Sequence, residues 1–358
     1  MAITRNTLDY VRQLSNTTGR EVDQVVRDMA RAWLRAWDEL LPAWHTVVED
    51  ILANLRDGEW PPAHMINRLL SLSAAVTSTS RSLEGLAVQA QTQMSTGAMS
   101  IVAAVAAAEP IVIASQYPAA VAAAAAMQTT QQILPTALDA IVARSTGRIV
   151  SRTSPLPEEV LEEIRRVLIF GVAVGQNPRK AARLMLRRIK TAFNGGLSRL
   201  MVIARTEMLD AHREASRYAH AANEDVLAGW QWICALDRRS CPACWSMHGR
   251  VFPLSEPGPL GHPQCRCARV PKVKTWAELG IDLPESDDRV PDAQQRFWSL
   301  PKDVQLKIMG PGRLELLRSG TIRWEDLAMR KENPDWRPSY VPTPLYRLKV
   351  IAEKRAAN

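Results

Sequence analysis

The first 147 residues contain no lysine, and residues 85–138 contain a single charge, Glu109. The first absence makes the charge lopsided. Residues 1–147 hold 10 Arg against 13 Asp and Glu, a balance of −3, so residues 148–358 hold 35 basic and 24 acidic groups, a balance of +11. A basic half suits a polyanionic partner, nucleic acid or an acidic protein surface. Solvated charge on a soluble Arg-rich protein accounts for it as well, and charge alone favours that plainer reading. The N-terminus lacks an apolar core of signal-peptide length after Arg5, so secretion is not expected. Cysteine is sparse too: five residues, four of them between positions 241 and 267. Outside an oxidising compartment such clustering points to metal rather than disulfides. There is no internal repeat. With 46% hydrophobic and 23% charged residues, the chain reads as globular and able to bury a real core.

Helical periodicity dominates the N-terminal part. Val22, Val26, Met29, Trp33, Trp37, Leu40, Trp44, Val47, Ile51 and Leu55 recur at spacings of three and four, which places them on one face of a helix. At that spacing the three Trp read as core or helix–helix interface rather than as a ligand box. Pro42 should kink or split the helix, and Asp57-Gly58 with Trp60-Pro61-Pro62 should end it. In the nearly uncharged, Ala-rich stretch 85–138, residues 119–138 approach the ~20 residues of a membrane span. Alanine is only weakly apolar, however, and residues 128–132 are polar. Pro110, Pro118 and Pro135 cut the run into pieces. Closely packed helices, self-associating or lying on partners, are the better reading, and no membrane contact is expected.

Residues 145–157 look like a domain boundary. Helices should follow from Pro157-Glu158-Glu159, from Asn177-Pro178 to a stop at Asn194-Gly195-Gly196, and from Leu197 to Ala222. Trp230, Trp232 and Cys234 then alternate as in a strand. Val251-Phe252 and Cys265 to Val273 are further short strands. Short helices and an extended, proline-bearing tail complete a fold that is mainly α, with a small α+β metal-bearing domain. The expected divisions are 1–147, a helical assembly region; 148–273; and 274–358, a C-terminal extension.

Cys241-Pro242-Ala243-Cys244 is a CxxC knuckle, and Cys265-Arg266-Cys267 follows twenty residues later. Thiolates bind zinc tetrahedrally, and two paired knuckles supply four ligands, Cys241, Cys244, Cys265 and Cys267. Such a closed site leaves no position for a catalytic water, which makes the zinc structural. On a strand, Cys265 and Cys267 would share a face. His262, three residues before Cys265, and His248 are alternative ligands; Cys234 reads as a core thiol.

Ala204-Arg205-Thr206-Glu207, Trp230, Asp237, the CxxC knuckle, His248-Gly249 and His262-Pro263-Gln264-Cys265-Arg266-Cys267 together resemble the phage Mu F-like head-morphogenesis domain. The resemblance covers roughly residues 160–273. Pro301, Gln305, Ile308-Met309-Gly310, Arg313, Leu316-Leu317 and Gly320 resemble an extension often attached to it. Nothing in residues 1–147 takes part. The resemblance implies a minor head protein of a tailed phage. Such a protein is made in the host cytoplasm and ends in the virion interior near the portal. It would act in procapsid assembly and in DNA packaging or ejection, with portal, scaffold or coat protein as partners. Arg205 and Glu207 are most like a family signature and are expected to link the helix to the zinc module.

Two enzyme readings compete. His212-Arg213-Glu214 followed by Cys241 and Cys244 imitates the zinc-deaminase order, but Ser240 rather than Pro precedes Cys241, and Cys265 and Cys267 would be left without a role. A zinc nuclease would have to use His220, His248 and Asp237, which are scattered. No His-rich or paired acidic cluster in residues 274–358 supports an appended activity, so no enzyme is expected. Weak, non-specific DNA binding is expected from Arg179, Lys180, Arg183, Arg187, Arg188 and Lys190. In that run Lys180, Arg183 and Arg187 share a helix face.

Overall fold

The structure is a computed structural model and describes residues 3–54, 65, 68–119, 121–122, 135–173, 178–333 and 337–356. Among the described residues five long helices come first: α1 (Arg5–Ala53), α2 (Leu70–Ala114), α3 (Pro135–Thr153), α4 (Leu156–Ala173) and α5 (Pro178–Ala221). Strand β1 (Leu227–Ile233), helix α6 (Pro242–Met247) and strands β2 (Val251–Phe252) and β3 (Ala268–Val273) follow. Three short helices come next, α7 (Ala293–Trp298), α8 (Lys302–Met309) and α9 (Pro311–Arg318), then a 3-10 turn at Trp324–Leu327. Strands β4 (Ala328–Lys331) and β5 (Ser339–Pro342) pair before α10 (Leu345–Ala356). The mainly helical chain with a small sheet is the expected class. The tail is extended only over Ser339–Pro342, where it finds a strand partner, and then closes as a helix anchored by buried Leu348.

Packing divides the chain into two interleaved units: Met1–Arg20, Met99–Val142 and Leu209–Asn358 form one, Glu21–Ala98 and Ala143–Met208 the other. The expected divisions at 147 and 273 are consecutive. Around the first of them, α3 runs unbroken through Ser145-Thr146-Gly147.

The second unit is helical, and the periodic face of α1 forms its core. Trp33, Trp37 and Trp44 are buried, and the two indole N–H groups of Trp33 and Trp44 donate to the Phe193 carbonyl and Thr79 Oγ1, both at 3.1 Å. The Phe193 ring lies 4.9 Å from Trp33 and 5.4 Å from Trp37. This face is therefore covered within its own unit and is not an open docking surface. α1 also continues through Pro42, which lies on the solvent side where water can satisfy the carbonyl left without a donor. The expected stop at Asn194-Gly195-Gly196 is not one. α5 passes through it, because Gly196 serves packing rather than termination: a Cβ there would meet Trp33 at 2.8 Å and Val160 at 2.9 Å. Arg205 and Glu207, expected to reach the metal module, pair within this helical unit instead, Glu207 with Arg152 at 3.1 Å and Arg205 with Asp23 at 3.9 Å.

The first unit is built on an antiparallel sheet of order β2-β1-β3, with Trp230 opposite both Phe252 and Pro271. Ile3, Val11 and Val112 cover part of β3 through Ala268 and Val270. Trp230, Trp232 and the cysteines share a single core with Trp245, Phe297, Trp324, Leu327 and Leu348. The C-terminal extension is thus part of the wall around the cysteines. Tyr340 N–H donates to the Leu260 carbonyl at 2.7 Å, two residues before His262.

α2 is long and apolar enough to cross a membrane by length and composition, and half of its most apolar window is buried inside the protein. The expected turns at 57–62 and 175–177, Leu55 and most of the run 119–138 lie outside the described residues.

Candidate metal centre

The knuckle is made by a helix start. Cys241 is the N-cap of α6: its Sγ accepts the Cys244 N–H at 3.4 Å, and Pro242, lacking an N–H, occupies the first turn. Asp237 holds the approach to it. Its carboxylate accepts from Arg239 N–H at 3.0 Å and from Ser240 Oγ at 2.8 Å, and both of its oxygens accept from Arg266 Nη2 at 2.7 and 2.8 Å. The second arm is a turn closed by Cys265 N–H to the His262 carbonyl at 3.0 Å. Pro263 sits at its second position and Gln264 at its third with φ 63°, where glycine or asparagine is usual. Cys265 and Cys267 lie in the loop before β3 rather than on the strand, yet both are buried while Arg266 turns out to Asp237.

Two three-donor groups result, Cys241–Cys244–His262 and Cys244–Cys265–Cys267, sharing Cys244. From Cys244 Sγ the distances are 3.5 Å to Cys241, 3.6 Å to His262 Nε2 and 3.6 Å to Cys265; Cys241 Sγ lies 3.2 Å from His262 Nε2. Tetrahedral zinc with bonds of about 2.3 Å to sulfur and about 2.0 Å to nitrogen spaces its donors by about 3.5–3.8 Å, close to these distances, and the two groups meet at Cys244 rather than forming one set of four. A cavity of about 20 Å³ lies among these donors and Cys234, room for one ion or one water. The four predicted cysteines are therefore brought together, and His262 and Cys234 join them.

His262 is oriented as a ligand. Its Nδ1 lies 2.8 Å from the Pro263 carbonyl, which can only accept, so Nδ1 carries the proton and Nε2 presents its lone pair to the thiols. His248 is not oriented this way: its Nδ1 accepts the Cys234 N–H at 2.9 Å and ties β1 to the end of α6. The Cys241 thiol is pulled down to about 5 by its hydrogen bonds with Cys244 and His262, and His262 is pushed up to about 9, first by Cys241. Without an ion the pair is thus a thiolate facing an imidazolium, which a cation with the same ligands would replace.

Of the deaminase-like triplet, His212 bonds Thr18 Oγ1 at 2.9 Å and Glu214 pairs with Arg217; neither joins the donor groups. His220 is fully buried against Glu109 at 3.2 Å. Cys234 was legible only as an apolar thiol, because its alternation with Trp230 and Trp232 is also that of a core strand. In the basic run, Arg187 and Lys190 are exposed and Arg188 is half-buried; the side chains of Arg179, Lys180 and Arg183 lie outside the described residues.

Residues 162–270 match the family model described as Phage Mu protein F like protein. The match spans less than a third of the chain and contains the whole metal centre. Neither a curated protein nor a solved structure matches the chain.

Proposed function

We propose that the chain is a minor head protein that acts in procapsid assembly near the portal and resides inside the virion, and that its metal centre is a structural zinc site. The observation that carries the proposal is the coincidence of the Mu F-like segment with two three-donor groups that meet at buried Cys244. Cys241, Cys244, Cys265 and His262 best fit the ion, with Cys267 beside them as the alternative to His262. The ion would cross-link the α6 knuckle to the loop before β3 and so stabilise the fold without turnover. A fourth protein donor would leave no position for a catalytic water, and no activity is assigned. Portal, scaffold or coat protein are the proposed partners. Exposed Arg187 and Lys190 and the overall charge of +8 favour added, sequence-independent contact with phage DNA.

The test is a phage lacking the gene for this chain, with full-length protein used to capture portal from a mixture of purified head proteins. Particles that are defective in assembly or DNA content, together with portal capture, are expected. Complete and infectious particles with no portal capture would overturn the assembly role. DNA affinity that is unchanged between low and physiological salt would overturn the phosphate contact.

A further inference from the structure

Arg213 is a charged residue that is 5% exposed. Its Nε donates to the Cys267 carbonyl at 3.2 Å, and Nη2 donates to the Cys265 carbonyl. Nη1 donates to Asp210 Oδ1 at 2.6 Å, and Asp210 also receives Arg337 at 2.7 and 3.2 Å. The guanidinium therefore spans the Cys265–Arg266–Cys267 loop from behind, gripping the carbonyls of both cysteines. That grip sets the direction in which the two thiols leave the backbone. A lysine, a point donor on a flexible stem, cannot span two carbonyls and a carboxylate in one plane.

The charge also matches. A divalent ion with three thiolates and a neutral imidazole carries a net charge of about −1. Asp210 with its two arginines carries a formal +1; Asp210 and Arg213 are buried, and Arg213 holds the carbonyls of Cys265 and Cys267. Four thiolates would leave the pair of groups unbalanced, and a buried uncompensated charge is costly.

We propose that Arg213 is the positioning residue and counter-charge of the metal centre, and that it favours the ligand set of three cysteines and His262. This rests on the metal reading above. Full-length wild type, Arg213→Met and Arg213→Lys are loaded with Zn²⁺ or Co²⁺ and titrated against a chromophoric chelator. Arg213→Met is expected to bind Zn²⁺ about 10–100-fold more weakly, the range typical of outer-sphere partners of metal ligands. Arg213→Lys should fall between, keeping charge and losing the grip. The thiolate-to-cobalt absorption should change in both. Should Arg213→Met fail to fold, Arg213→Lys decides alone. Affinities within about two-fold of wild type with an unchanged cobalt spectrum would overturn the proposal, even if the metal-free variants melt earlier, because that pattern is a purely structural role. Wild type that takes up neither ion removes the metal reading itself, and the proposal with it.

Discussion

Trp33 in the helical unit and Trp230 in the sheet unit are each 1% exposed, but their neighbours differ in kind. Trp33 packs against Phe193, and Gly196 lies in van der Waals reach of its ring. Trp230 stacks on Phe252 at 4.6 Å and has the Arg269 guanidinium 4.4 Å from its ring centre. Arg269 in turn donates to His220 Nδ1 at 3.1 Å and to the carbonyls of Glu256 at 2.9 Å and Leu254 at 3.1 Å, while His220 meets the buried Glu109. The helical unit is held by shape, which tolerates volume-conserving exchange. The sheet unit is held by partners that cannot be removed singly without orphaning a buried polar group. The two should therefore fail separately and for different reasons.

Metal removal should separate them most. Chelation is expected to unfold the loops of residues 234–267, a loss on the order of 10 kcal/mol for a structural zinc site, while the helical unit keeps its helix signal. Circular dichroism followed alongside protease susceptibility of the two units checks this; simultaneous collapse would join what the comparison divides. Next in size is Arg269→Met, expected to cost about 3–5 kcal/mol by removing the guanidinium charge near buried Glu109 and leaving His220 Nδ1 and the Leu254 carbonyl without their donor. Urea unfolding measures it, and Phe193→Leu in the helical unit serves as the milder control.

Acid should also act on the sheet unit. Burial lowers His212 to about 4 from 6.5, against the charge of Glu109, which raises it, and with that of Arg213, which lowers it further. Between those values the unfolded chain binds a proton that the folded chain refuses, so the contribution is complete above about 6.5 and is lost as pH falls toward 4. Going from pH 7 to 5 should remove about 2 kcal/mol. His212→Asn should flatten the slope in urea titrations run at each pH. The smallest effects lie in the helical unit and have opposite signs. Gly195→Ala meets nothing within 4 Å and should stabilise by about 0.5–1 kcal/mol. Gly196→Ala should destabilise by about 1 kcal/mol as Trp33 is pushed aside. Thermal melts of the two single variants compare them, and a shared sign would show that helix propensity, not packing, governs the position.

What could be read from the sequence follows the same line. The face from Val22 to Ile51 was legible because helical periodicity is local, and so was the knuckle, because its donors sit three residues apart. Gly195-Gly196 misled because a helix stop and a close helix contact use the same residue, and only Trp33, far away in sequence, decides between them. Glu109 stood out as a lone charge, but its partner is 111 residues distant. Arg213 gave no signal, since it binds backbone carbonyls, which every residue has. His262 was visible as an alternative; its role became concrete once the Pro263 carbonyl fixed its proton.

The interleaving of the units has a consequence for synthesis. Every residue of the helical unit precedes Leu209, so that unit can close while the ribosome is still translating the rest. The sheet unit cannot. Ile3 accepts a hydrogen bond from Arg289, and Leu348 fills the core behind the cysteines, so segments far apart in sequence must meet. Until then the cysteine loops lack their C-terminal wall. Capture of the proposed metal would thereby wait for the segment around Leu348, and a chain stalled before it would present open thiols after the helical unit had closed.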